Sequence, residues 1–135
     1  MNFASVRIIT DDVDRLVGFY EKVMEVSAER PAPVFAELVL PSCTLAIGHV
    51  QTTQLFGAGS AIGAHNRTVI LEFRVDDVEA EYVRLKPLVD HWVMEPTLMP
   101  WGNRSMLFRD PDGNLLNLFE PVTEDAIERF RGRPS

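Results

Sequence analysis

The sequence predicts an α+β domain made of two copies of one strand–helix–strand–strand–strand module. Three observations carry this. Thr10-Asp11-Asp12-Val13 and the helix-like stretch after it are echoed by Val75-Asp76-Asp77-Val78, at a constant offset of 65 residues (Thr10 to Val75, Asp12 to Asp77). A repeat of this length is a unit of architecture. Each copy switches from period-two alternation to helical spacing at the Asp-Asp-Val step, so a strand runs into a helix twice. Each copy then closes on short alternating runs separated by turn residues.

The elements follow in order. Phe3–Ile9 alternates as a half-buried strand. Asp11 or Asp12 opens a helix as N-cap, with Leu16, Phe19, Tyr20, Val23 and Met24 on its buried face. Pro31 to Pro33 interrupts the chain; strands at Phe35–Leu40 and Thr44–Ile47 follow, joined by a turn at Pro41-Ser42. Gln51 to Asn66 reads as a linking loop, long enough to be mobile or functional. Its three glycines lack the spacing of a phosphate-binding loop.

The second module repeats the order. Thr68–Val75 is a strand, Asp77 caps a helix with Val78, Tyr82 and Leu85 inward, and Pro87 helps to end it. A short strand is expected between Pro87 and Glu95, then strands at Ser105–Arg109 and Leu115–Phe119 around Asp110-Pro111-Asp112-Gly113-Asn114. Those aspartates read as turn chemistry, with Gly113 supplying a positive φ. Thr123 caps a charged C-terminal helix. The chain is thus one domain, 1–135, with modules at about 1–50 and 67–122, a linker at 51–66 and a terminal helix at 123–133.

Bulk composition narrows the function. At 46% hydrophobic and 24% charged residues the chain has the makings of a globular core. A formal net charge of −7 argues against nucleic acid or anionic membrane as partner, since both need a basic face. A single cysteine, Cys43, precludes an internal disulfide and a cysteine-rich zinc site. Met1 to Arg7 lacks the apolar core of a signal peptide. The expectation is a soluble cytoplasmic protein.

The paired βαβββ pattern resembles the vicinal oxygen chelate superfamily: glyoxalase I, extradiol dioxygenases, and the fosfomycin- and bleomycin-resistance proteins. The residues carrying the likeness are Asp12 with Phe19-Tyr20, Phe73-Arg74-Val75-Asp76-Asp77-Val78, Pro100-Trp101-Gly102, and Phe108 to Asn114. The likeness runs to about Val122. It implies curved sheets forming a cup, and in the family's enzymes a divalent metal held from four strands. Aligned on the signposts, those four positions are Ser5, Ala46, Ile70 and Asn117. Two of these have no donor atom and two are poor ligands for a divalent cation. The chain therefore resembles the metal-free bleomycin-resistance branch, with no cofactor expected. By the same resemblance a homodimer is expected, because relatives of this size complete their cups across a two-fold interface.

Period two places Arg7, Glu72 and Arg74 on the faces that carry the four positions. Arg7 and Glu72 are equivalent in the repeat. The three form either a polar patch that orients a ligand or a face that is solvated or covered by a second subunit; alternation alone leaves both readings open. Trp101 is placed beside the cup by resemblance and would stack on a flat ligand, worth about 0.5–1.5 kcal/mol beyond its area. Phe119 alternates with Asn117 and points inward; Phe56 reads equally as a lid or as packing, and Phe35 as core. His49, His65 and His91 share no ligand spacing, and Cys43 lacks an adjacent base. The leading expectation is a metal-independent small-molecule binding protein that sequesters an antibiotic or an aromatic polar metabolite. The ligand-binding candidates are Ser5, Arg7, Phe56, Glu72, Arg74, Trp101, Asn117 and Phe119. The alternative is a metal-dependent lyase, isomerase or dioxygenase with atypical ligands such as Glu37, His49 or Glu72. A third reading is a metal-free enzyme with Glu72 as general base.

Overall fold

The computed structural model describes residues 1–133. It contains two compact units, Met1–Asn66 with Pro111–Gly113, and Arg67–Asp110 with the chain from Asn114 on.

The first unit begins with β1 (Ser5–Thr10) and α1 (Val13–Met24), continues through β2 (Glu29–Ala32), β3 (Phe35–Val39) and β4 (Thr44–His49), and ends in a 3-10 helix (Val50–Phe56). Asp12 is the N-cap of α1: its carboxylate accepts from Arg15 N at 3.1 Å, filling one of the orphan donors of the first turn. The sheet order is β1-β4-β3-β2, with β1 and β4 parallel and the other pairs antiparallel. Leu16, Val17, Phe19, Tyr20 and Val23 of α1 are buried, and the helix packs against β3 and β4, whose Ala36, Leu38, Leu45 and Ile47 are also buried. The alternate residues, Phe35 and Glu37 on β3 and Ala46 and Gly48 on β4, therefore lie on the sheet's other face with Ser5 and Arg7.

The second unit repeats the plan with β5 (Ile70–Arg74), α2 (Val78–Leu85), β6 (His91–Leu98), β7 (Asn103–Arg109) and β8 (Leu115–Pro121), and ends in α3 (Glu124–Phe130). Its order, β5-β8-β7-β6, matches the first, and β5 and β8 are parallel. The registers match as well. Arg7 pairs with Ala46 in the first unit, and Glu72, its counterpart, pairs with Asn117 in the second. Asp77 caps α2 through Ala80 N at 3.0 Å, the same bond that Asp12 makes. The core beneath α2 holds Val78, Leu85, Met106, Phe108, Leu116 and Leu118. Trp92 packs edge-on between Tyr82 and Phe108, with centroids at 4.9 and 5.2 Å.

Four expectations change in detail. Pro31 does not interrupt the first module: it lies inside β2, where only one side of the strand needs its donors because β2 is the edge of its sheet. Arg30 ties this edge down, donating to Asp14 at 2.7 Å and to the Pro33 carbonyl at 2.8 Å. The 51–66 stretch is not all loop, since the 3-10 helix takes its first third. The strand expected between Pro87 and Glu95 is β6, an eight-residue strand reaching Leu98 despite Pro96; its pairing with β7 is broken by two register shifts, the second of which spans Pro96. Several strand ends also differ by one or two residues, as β1 does at Ser5.

Asp110 and Asn114 close the β7–β8 turn on each other: Asn114 N donates to Asp110 Oδ1 at 2.9 Å and Asn114 Nδ2 to Oδ2 at 2.8 Å, with Gly113 at φ 87°. The β6–β7 turn is built differently. Gly102 has φ 93°, and its carbonyl accepts from Val122 N and Thr123 N at 3.0 and 3.2 Å. A Cβ there would lie 2.0 Å from Thr123 Oγ1 and 2.9 Å from Ala126 Cβ, whereas one at Gly113 meets nothing within 4 Å. Gly113→Ala should thus cost only the left-handed backbone penalty, about 1–2 kcal/mol. Gly102→Ala should cost that plus overpacking, about 1–3 kcal/mol more. Urea unfolding of the two variants checks the order, and equal midpoints would contradict it.

Candidate functional site

In both units one helix covers one face of the sheet, and a helical segment after the fourth strand folds onto the opposite face. The 3-10 helix does this in the first unit: a Cβ on Gly48 would lie 3.0 Å from Thr52 Oγ1 and 3.6 Å from Arg7 Cδ. The absent side chain at Gly48 leaves room for both Thr52 and the stem of Arg7. α3 does it in the second unit, where the rings of Phe130 and Phe119 are 5.3 Å apart. Each trailing segment ends in a phenylalanine set against an arginine from the unit's first strand. Phe56 lies against Arg7, and Phe130 against Arg74.

The two arginines differ in what their donors do. Arg74 gives Nη1–H to the Phe130 carbonyl at 3.1 Å and Nη2–H to the Arg133 carbonyl at 2.9 Å, so it clamps the C-terminal segment. The sequence expectation that Arg74 faces a ligand overlooks these acceptors, which are main-chain atoms. Phe119, 8% exposed, is likewise covered by Phe130. Arg7 is exposed, and its guanidinium makes no hydrogen bond or ion pair among the described residues. Its guanidinium carbon lies 5.4 Å from the Phe35 ring centroid and 5.7 Å from that of Phe56. Such contacts are worth about 0.5–1 kcal/mol each at exposed sites, and they hold the side chain while leaving its N–H edges free.

Phe35 was therefore misassigned to the core by its sequence reading. It is half-buried and shares a face with Arg7, because Phe35 pairs with Gly48 and Ile9 pairs with Gly48 on the other side. Its alternation with Ala36 and Leu38, which are the fully buried positions, was the available signal. Ser5 is exposed on the same face, one pleat before Arg7, and Ala46 is buried there at 2% exposure. His49 ends β4, and its Nδ1 accepts from Gln51 N at 3.1 Å as the cap of the 3-10 helix, a structural use. Cys43 is half-buried and free, with no base among its contacts.

In the second unit Asn117 Nδ2 donates to Glu72 Oε2 at 2.8 Å, while Asn117 Oδ1 is buried without a partner among the described residues. Trp101 is 57% exposed at the tip of the β6–β7 hairpin, and the Gly102 after it docks on the start of α3. A cavity of about 330 Å³ opens where β5 and β8 end beneath α3, with Arg74, Asp76, Glu120, Ile127 and Phe130 among its walls. Glu120 is already used there, accepting from Val78 N at 3.1 Å. Away from these faces, desolvation and the hydrogen bond to Glu95 raise the Tyr82 phenol above its ordinary pKa, which keeps it a neutral donor.

A family profile for the Glyoxalase/Bleomycin resistance protein/Dioxygenase superfamily matches residues 2–118. The chain belongs to this superfamily. Solved glyoxalase relatives share its architecture. A glyoxalase/bleomycin resistance protein/dioxygenase from Nocardioides is 21% identical, with a TM-score of 0.76 over 92% of this chain and 85% of that one. A family enzyme from Burkholderia phytofirmans PsJN is 18% identical, at 0.76 over 90% and 100%. A glyoxalase-related enzyme from Fulvimarina pelagi is 19% identical, at 0.74 over 90% and 92%. At these identities the likeness is one of fold. No curated protein matches the chain.

The positions that the resemblance assigns to a metal can be weighed on their donors. Ala46 and Ile70 offer only hydrocarbon, and Ser5 and Asn117 offer a neutral hydroxyl and a neutral amide oxygen, both poor ligands for a divalent cation. Among the described residues no three His, Cys, Asp or Glu side chains come together to hold an ion. This donor set does not fit a divalent metal, which takes three or more protein ligands at a catalytic site. No helix of the described residues is long and apolar enough to cross a membrane.

The Arg74 clamp makes a prediction about α3, a seven-residue helix too short to hold without tertiary contacts. Arg74→Met should remove both carbonyl bonds and raise amide exchange across Glu124–Phe130, leaving α2 unchanged. Unaltered protection in α3 would show that Phe130 and the Gly102 docking suffice.

Proposed function

We propose that this superfamily member is a metal-independent small-molecule binding protein whose ligand seats on the α1-free face of the first unit, against Arg7, Phe35 and Phe56. One observation supports the reading: the Arg7 guanidinium lies 5.4 and 5.7 Å from the Phe35 and Phe56 ring centroids, belongs to an exposed side chain, and makes no hydrogen bond or ion pair among the described residues. A structural arginine gives its donors to carbonyls or carboxylates, as Arg74 does. Phe56 is 69% exposed, and an aromatic ring left in water at the end of a short helix adds apolar area for a ligand to cover. Binding of this kind suits sequestration of an antibiotic or an aromatic polar metabolite, where affinity alone is required. Micromolar affinity corresponds to about −8 kcal/mol. A cytoplasmic homodimer is the assembly proposed with it.

A thermal-shift screen of planar antibiotics and aromatic metabolites, followed by titration of variants, tests the site. Phe35→Ala and Phe56→Ala should each weaken the best compound about ten-fold, the equivalent of 1.4 kcal/mol, and Asp90→Asn should leave it unchanged. Unchanged affinity in both phenylalanine variants would move the site elsewhere. Metal content is a separate measurement. Protein purified without chelator should carry transition metal far below stoichiometry by plasma mass spectrometry. Near-stoichiometric zinc, nickel, iron or manganese that is lost in Glu72→Gln would overturn metal independence. Light scattering at micromolar concentration should report a dimer; a monomer mass would remove that part of the proposal.

A further inference from the structure

We propose that the ligand is a flat aromatic molecule with a carboxylate at its edge, and that Arg7 reads the carboxylate. This rests on the site proposed above and specifies what that site selects. The guanidinium carbon lies 5.4 Å from the Phe35 ring centroid and 5.7 Å from that of Phe56, while the guanidinium N–H donors have no acceptor among the described residues. A guanidinium edge is a fork matched to two coplanar oxygens, and a carboxylate meets it with two parallel hydrogen bonds. A flat aromatic acid brings, beside that carboxylate, apolar area for Phe35 and Phe56 to cover.

The chain has 20 acidic residues against 13 lysines and arginines. Arg30, Arg84, Arg104 and Arg131 each pair with a carboxylate, whereas Arg7, like the exposed Arg15 and Arg67, pairs with none among the described residues. The carboxylate that shares a row with Arg7 is Glu37, with Ala46 between them. Two strand spacings place the backbones about 10 Å apart, and no ion pair closes the gap. Arg7 is also placed deliberately: its stem crosses Gly48, where a Cβ would come within 3.6 Å of its Cδ. The second unit supplies the contrast. Arg74 stands two residues further along its strand than the Arg7 equivalent, and there the donors are used by the Phe130 and Arg133 carbonyls.

The test uses the full chain with 2-naphthoate and its neutral isostere 2-naphthamide, titrated by calorimetry at low and moderate salt. The acid should bind at least ten-fold more tightly than the amide. Arg7→Gln should bring the two within about two-fold of each other while remaining folded at the titration temperature, and Arg7→Lys should keep part of the preference, having the charge without the fork. Equal binding of acid and amide by the parent overturns the proposal, as does a preference that survives in Arg7→Gln, or no binding of 2-naphthoate at millimolar concentration. The two readings fail differently. If the amide binds as well as the acid and Phe56→Ala weakens both, the face is a binding site without anion selectivity. If neither phenylalanine variant changes any ligand's affinity, the site itself is wrong.

Discussion

The parallel pairing of first and fourth strands is the constraint on which the rest depends. β1 and β4 run together because α1 and the β2–β3 hairpin carry the chain back, and α2 with β6 and β7 does the same for β5 and β8. A parallel pair fixes which residues share a row, and a slip of one would turn every side chain over. With the register set, one face belongs to the helix and the core, and the other is left for the trailing segment. Arg7, Phe35 and Gly48 meet on that second face only because Gly48 pairs with Ile9 on one side and Phe35 on the other.

Much of this was legible in the residues. The Asp-Asp-Val repeat located both helix starts, and in each the second aspartate is the cap, at 3.1 and 3.0 Å. Alternation put Arg7, Glu72 and Arg74 on their faces correctly. Features that depend on partners distant in sequence were not legible. Pro31 reads as a break until one knows that β2 is an edge strand with one set of backbone groups unpaired. Arg74 reads as a free charge because its acceptors are carbonyls, which every residue has and no sequence motif announces. Phe35 reads as core because size and hydrophobicity say nothing of which side of a sheet a residue takes; its neighbours Ala36 and Leu38 take the buried side.

The duplicated plan also shows how two copies of one module come to differ. Both retain the cap, the register and the trailing segment with its phenylalanine. The second has a regular helix and an arginine clamp; the first has a 3-10 helix and an arginine with open donors. Glu72 and Asn117, paired in the second copy, occupy the row that holds Arg7 and Ala46 in the first. Two copies with the same connections thus put their arginines to different uses.

The docking of Gly102 on Thr123 and Ala126 has a consequence for how the chain is made. α3 follows its seat in the sequence: the β6–β7 turn, β5 and β8 all precede it. Chains emerge N-terminus first, at about 5–20 residues per second, so these strands leave the ribosome and are free to pair before α3 does. On the nascent protein, Arg74 and Phe119 lack their partners until Phe130 and Arg133 have followed them out.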